Sequence, residues 1–168
     1  MQTRQLGQSD LYISPLGFGT WASGGGNWEY GWGAQDDRDS IAAIAAAVDA
    51  GINWIDTAAI YGEGRSEVLV AKAMKAIPAA NRPLLATKCG RVALGNGEIG
   101  KCLRRESVIA ECEASLKRLN VDCIDLYQMH HIHRETPWEE IWQAMEILVQ
   151  QGKVLYVGSS NFGGWHIA

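Results

Sequence analysis

Asn53-Trp54-Ile55-Asp56-Thr57-Ala58-Ala59-Ile60-Tyr61-Gly62-Glu63-Gly64-Arg65-Ser66 packs three structural units into a short span. An apolar strand delivers the Asp56 carboxylate at its C-terminal end. Tyr61 follows within one tight loop, and a Gly-x-Gly turn hands over to a helix. Polar groups at the C-terminal end of a strand, just before a helix, are placed as active-site groups are placed in β/α folds.

Outward from this stretch the pattern repeats. Residues 3–6 and 11–13, separated by Gly7-Gln8-Ser9-Asp10, read as a hairpin. Residues 15–21 form a small-residue apolar run suited to a buried strand where backbone or ligand approaches closely. Asp36 or Asp37 is placed to cap a helix through residue 50, with Ile41, Ile44 and Val48 on one face and Gly51 as its left-handed stop. The strand 52–56 comes next, then a helix over 66–77 with Val68, Leu69 and Met74 inward, ending before Pro78. Residues 84–88 are a strand, and 90–100 a Gly-rich loop. A helix over 105–119 has Val108, Cys112, Leu116 and Leu119 at helical spacing and Asn120 as its stop. Residues 123–130 are a strand. Thr136, Pro137 and Glu139 then start a helix, Thr136 as cap, which stops at Gly152, and 154–158 is a fifth strand.

Strict alternation of strand and helix indicates parallel βαβ units. An open doubly wound sheet and a closed barrel both satisfy it. Successive strand ends carry Asp56, Lys88, His130 and Ser160-Asn161, which a barrel would gather into one pocket, whereas the glycine spacing is wrong for a dinucleotide fingerprint. The expected fold is therefore an α/β (β/α)8 TIM barrel, truncated after about five βα units and preceded by an N-terminal β-hairpin, with residues 1–168 one incomplete domain. A complete barrel usually needs about 250 residues.

Composition bounds the function. With 47% hydrophobic residues, 20% charged residues and a net charge of -4, the chain has the balance of an ordinary globular protein. It offers no basic surface for nucleic acid or an anionic membrane. The N-terminus lacks the apolar core of a secretion signal and no run is long enough to span a bilayer, so the cytoplasm is the expected address. Cys89, Cys102, Cys112 and Cys123 sit far apart without a Cys-x-x-Cys pair, which fits reduced structural thiols.

The chemistry follows from Asp56, Tyr61, Lys88 and His130 together. A lysine ammonium and a histidine beside a phenol can lower its pKa, and Asp56 can hold Lys88 charged. The set reads as a tuned general acid, Tyr61, that protonates a carbonyl oxygen. Residues 22–35 hold glycines and large aromatics without periodicity. They lack the Lys-Ser/Thr of a phosphate loop and are expected to form a lid whose Trp28, Tyr30 and Trp32 line a substrate pocket. His130-His131-x-His133 would be the basis of a rival, metal-hydrolase reading. Neighbours on a strand point to opposite faces and no further ligands are evident, so no metal is expected.

Gly17-Phe18-Gly19-Thr20-Trp21, Asp56-Thr57-Ala58-Ala59-Ile60-Tyr61-Gly62, Ala86-Thr87-Lys88, Asp125-Leu126-Tyr127-Gln128-Met129-His130 and Val157-Gly158-Ser159-Ser160-Asn161-Phe162 form an ordered series. In it the chain resembles the N-terminal part of an aldo-keto reductase. The resemblance implies NADPH-dependent reduction of aldehyde or ketone carbonyls, with Tyr61 as general acid, Lys88 and Asp56 as its tuning pair and His130 orienting the carbonyl. It places Ser160 and Asn161 on the nicotinamide carboxamide, and Thr20, Trp21 and Asp56 at the cofactor, while His131, read from its place in the loop after the strand, is expected near the substrate pocket. It leaves one alternative, a truncated remnant or a cofactor-binding regulatory subunit of the same fold. The expected partner is a small-molecule carbonyl substrate, with self-association through exposed barrel edges.

Overall fold

The computed structural model describes residues 1–26, 28–95 and 98–167; Asn27 of the expected lid, Asn96 and Gly97 of the expected Gly-rich loop, and Ala168 lie outside them. The chain opens with the antiparallel hairpin of β1 (Arg4–Gln5) and β2 (Tyr12–Ile13). A parallel sheet follows, built from β3 (Phe18–Gly19), β4 (Trp54–Asp56), β5 (Leu84–Cys89), β8 (Ile124–Met129) and β9 (Val154–Ser159), in that spatial order. Helices α1 (Asp37–Asp49), α2 (Arg65–Ala76), α3 (Arg105–Leu119) and α4 (Trp138–Gln150) connect successive strands. Sequential neighbours in sequence are neighbours in the sheet throughout, which is the winding of a β/α barrel rather than of a doubly wound sheet.

The helix signals act through identifiable groups. Asp36 caps α1 by accepting the Arg38 amide at 2.7 Å. Asn120 closes α3 with φ 55°, and Gly51 (φ 92°) follows α1. Ile44, Cys112, Leu119, Tyr127, Ile141 and Leu148 are fully enclosed between the sheet and the helix layer. Each such apolar side chain contributes about 1.5–3 kcal/mol by leaving water.

Three expectations need correcting. Val68 faces outward, because the inward arc of α2 is taken by Leu69, Val70, Ala73 and Met74. Thr136 does not cap α4; Pro137 occupies that position and the Thr136 hydroxyl pairs with His133 Nδ1 at 2.8 Å. The segment read as a Gly-rich loop holds a second hairpin, β6 (Arg91–Ala93) against β7 (Ile99–Lys101). After β9 the chain makes one 3-10 turn, Gly164–His166. The four cysteines are free. No helix among the described residues is long and apolar enough to cross a membrane.

Candidate active site

The register of the parallel sheet fixes the site. Gly19 pairs with Asp56 and Asp56 with Ala86, while Lys88 pairs with Gln128 and Met129 with Ser159. Asp56, Lys88, His130 and Ser160 therefore emerge at one end of the sheet. Tyr61 reaches them because the loop after β4 is folded back. Ala59 donates to Lys88 O at 3.4 Å, Tyr61 N–H donates to Ala58 O at 3.1 Å, and the Ser66 amide donates to Tyr61 O at 3.2 Å. Gly62 is required in this fold-back: it sits at φ 59°, and a Cβ there would lie 2.1 Å from Gly24 O.

Beneath the loop, Ser66 Oγ lies 2.7 Å from Thr20 Oγ1 and 3.0 Å from Thr57 Oγ1. Thr20 Oγ1 in turn donates to Asp56 O at 3.1 Å. This buried hydroxyl cluster pins the start of α2 to the ends of β3 and β4. Thr20, expected at the cofactor, is engaged inside the cluster and does not line the cleft above it.

Lys88 is 5% exposed, and its ammonium uses all its protons: 2.7 Å to Asp56 Oδ2, 2.9 Å to Thr57 O and 3.4 Å to the Tyr61 hydroxyl. Burial pulls the Lys88 pKa down and the Asp56 carboxylate opposes it. Tyr61 accepts from the ammonium, so its own proton is free to be donated elsewhere. The phenol is not lowered as the sequence led one to expect. Burial and then the Asp56 charge push it up, with Arg91 pulling against them, so Tyr61 holds its proton through the neutral range.

His130 is set by backbone on both sides, its amide donating to Cys89 O at 2.9 Å and its carbonyl accepting from Asn161 Nδ2 at 2.9 Å. Its ring stands edge-on to Tyr61 at 5.6 Å and stacks on His131 at 5.2 Å. Burial, then the Lys88 charge, then His131 and Arg91 lower its pKa to about 3, so the imidazole is neutral. Nδ1 is buried without a partner among the described residues. His133 turns away to Thr136, so the three histidines do not converge.

These groups wall a cleft of about 360 Å³ together with Trp21, Trp28, Tyr30, Arg91, His131, Ser160 and Asn161. Trp21 and Trp28 lie 5.4 and 5.9 Å from the Tyr61 ring. Trp32 is a correction: it is 75% exposed and stands outside, because its neighbour Gly31 packs on Gly25 and Gly26 and the chain leaves the cleft there. Arg91 was missed. The Asn-Gly pair at 96–97, a hairpin turn signal with Leu94 and Ile99 one position further out on either side, was the clue that a strand begins at Arg91.

A sequence profile described as the aldo/keto reductase family matches residues 15–168. Aldo-keto reductase YhdN of Bacillus subtilis (strain 168) is 40% identical over 162 residues, spanning 96% of this chain and 47% of its own. The NADH-specific methylglyoxal reductase of Escherichia coli (strain K12) is 37% identical over 180 residues, 99% of this chain and 54% of its own. Among solved structures, the aldo-keto reductase AKR11C1 of Bacillus halodurans, in its holo form, superposes with a TM-score of 0.85 at 33% identity. It covers 99% of this chain and 52% of that one. The glycerol dehydrogenase AKR11B4 of Gluconobacter oxydans gives 0.86 at 36% identity, covering 99% and 50%. The chain spans about half the length of the curated relatives it matches. With the profile running from just before β3 through residue 168, the chain belongs to the aldo/keto reductase family.

Proposed function

We propose that the protein is an oxidoreductase that reduces aldehyde and ketone carbonyls to alcohols with NADPH, Tyr61 donating the proton, and that residues 1–168 form one incomplete barrel domain. The observation that carries this reading is the Lys88 ammonium bridging Asp56 Oδ2 at 2.7 Å and the Tyr61 hydroxyl at 3.4 Å in the wall of one cleft.

The donor set fits a nicotinamide. Asn161 Nδ2 donates to Ser160 Oγ at 2.9 Å, which leaves the Ser160 hydroxyl proton free for a carboxamide oxygen. Trp21, 39% exposed at the rim, offers a flat face to a planar ring. A reduced nicotinamide, when bound, supplies hydride.

The chain's own residues do the rest. His130, neutral, orients the carbonyl with a ring N–H. Tyr61 holds its proton until negative charge develops on the carbonyl oxygen, and an alkoxide is a far stronger base than a phenolate, so transfer at that moment is downhill. Lys88 steadies the phenolate left behind, and Asp56 keeps Lys88 charged and aimed. Trp21 and Trp28 exclude water beside Tyr61, which strengthens these interactions. A relative named as NADH-specific makes phosphate selectivity part of the test. Self-association through a sheet edge belongs to this reading too, since among the described residues β9 is an outer strand of the parallel sheet and carries an exposed Leu155.

The test is Tyr61→Phe in the product of the whole reading frame, assayed with NADPH and NADH, with sedimentation of the same sample. The expected loss in kcat is about 100-fold or more, the scale of a positioned general acid, with cofactor binding kept. Unchanged carbonyl reduction would remove Tyr61 from the mechanism.

A further inference from the structure

Arg91 and Lys101 take no part in the chemistry above. They stand directly opposite each other in the register of the β6–β7 hairpin. Like charges so placed destabilise a two-stranded ladder. Among the described residues neither joins any ion pair that would offset this. Arg91 is in the cleft wall beside Tyr61, Lys88, His130 and His131. Its guanidinium carbon lies 5.3 Å from the centre of the Tyr30 ring, a cation–π contact, and its Nη groups donate to no acceptor among the described residues. Its Nε is buried with no hydrogen-bond partner among the described residues.

Charge balance in the cleft sharpens the point. Lys88 is neutralised by Asp56 at 2.7 Å and both cleft histidines are held below their ordinary pKa, so Arg91 is left as net positive charge in a chain of net charge -4. Its field reaches the reacting groups, since it lowers Tyr61, His130 and His131 alike. An unpaired guanidinium in a small, partly dry cleft is an anion receptor, and its fork matches a carboxylate in two parallel hydrogen bonds. Lys101 lies outside the lining, so the wall presents one fork, the complement of a single carboxylate.

We propose that Arg91 is the specificity-determining residue for substrates that carry a carboxylate close to the reducible carbonyl, that is, short aldehydo or keto acids. The proposal rests on the reductase reading and names its substrate class. Tyr30 holds the guanidinium in place, and the carboxylate bound there leaves the carbonyl end of a short acid facing Tyr61 and His130.

The experiment compares succinic semialdehyde with its methyl ester, which differ in little but charge. The wild type, Arg91→Gln and Arg91→Lys are tested in the product of the whole reading frame. Arg91→Gln is expected to lower kcat/KM for the acid about 10- to 100-fold, the scale of hydrogen bonds to a charged group. Because losing the Arg91 charge also acts on Tyr61 with either substrate, the readout is the ratio of acid to ester: it should fall about 10-fold or more, with the cofactor KM unmoved and Arg91→Lys in between. Equal losses on acid and ester, or a loss that appears in the cofactor KM, overturn the proposal. If neither substrate is reduced by the wild type, the reductase reading fails separately. Arg91 is then judged by butyrate titrated against tryptophan fluorescence from Trp21 and Trp28. Saturation in the wild type and none in Arg91→Gln supports the anion site; the same curve in both overturns it.

Discussion

Replacing Glu111 by glutamine should flatten the pH dependence of stability between about pH 5 and about pH 8. Glu111 lies on α3 and accepts the Gly90 amide at 3.0 Å and the Ser107 hydroxyl at 3.0 Å, which ties α3 to the chain just after Lys88 and Cys89. Burial raises its carboxyl from 4.5 to about 7, against the hydrogen bonds from Gly90 and Ser107 and the charge of Arg118. At roughly 1.4 kcal/mol for each pH unit between the two values, the linkage is worth about 3 kcal/mol at most, and about 2 after the solvent at its edge is allowed for. The sign is that of a raised acid. Between the unfolded and folded pKa the native state keeps a proton the unfolded chain has lost, so stability falls as pH rises and levels off above about 7. The carboxamide of the Glu111→Gln variant would still accept from Gly90 and could donate to Ser107 while binding no proton. Urea unfolding by tryptophan fluorescence, wild type against Glu111→Gln, subtracts every other titrating group. The variant should gain about 2 kcal/mol relative to wild type on going from about pH 5 to about pH 8. Parallel curves across that window would refute the argument.

Two further predictions concern the frame that holds the site. Glu67 is fully buried and accepts from Thr87 Oγ1 at 2.7 Å and Arg118 Nε at 2.6 Å, so Arg118→Leu strands a buried carboxylate at a cost of about 3–5 kcal/mol in urea unfolding. Adding Glu67→Leu should recover most of that loss. Gly62→Ala forces a Cβ against Gly24 O from a left-handed backbone, and should cost about 1–3 kcal/mol with a change in near-UV dichroism as Trp21, Trp28 and Tyr61 shift.

The sequence by itself determined the parallel βαβ winding, because helical and strand periods alternate and helix starts and stops are written locally, in Asp36 as a start and Gly51 and Asn120 as stops. It also placed Asp56, Lys88, His130 and Ser160 together, since the end of a parallel strand is a fixed place in such a sheet. Tertiary structure decided what locality cannot encode. Thr20 belongs to a hydroxyl cluster because Ser66, forty-six positions away, reaches it. Arg91 faces the cleft because a hairpin carries it there. The direction of the Tyr61 pKa reversed for the same reason. Neighbour types pointed to a lowered phenol, but the cost of desolvating a phenolate depends on how completely the aromatic walls of Trp21 and Trp28 close over it, and that enclosure exists only once distant segments have packed.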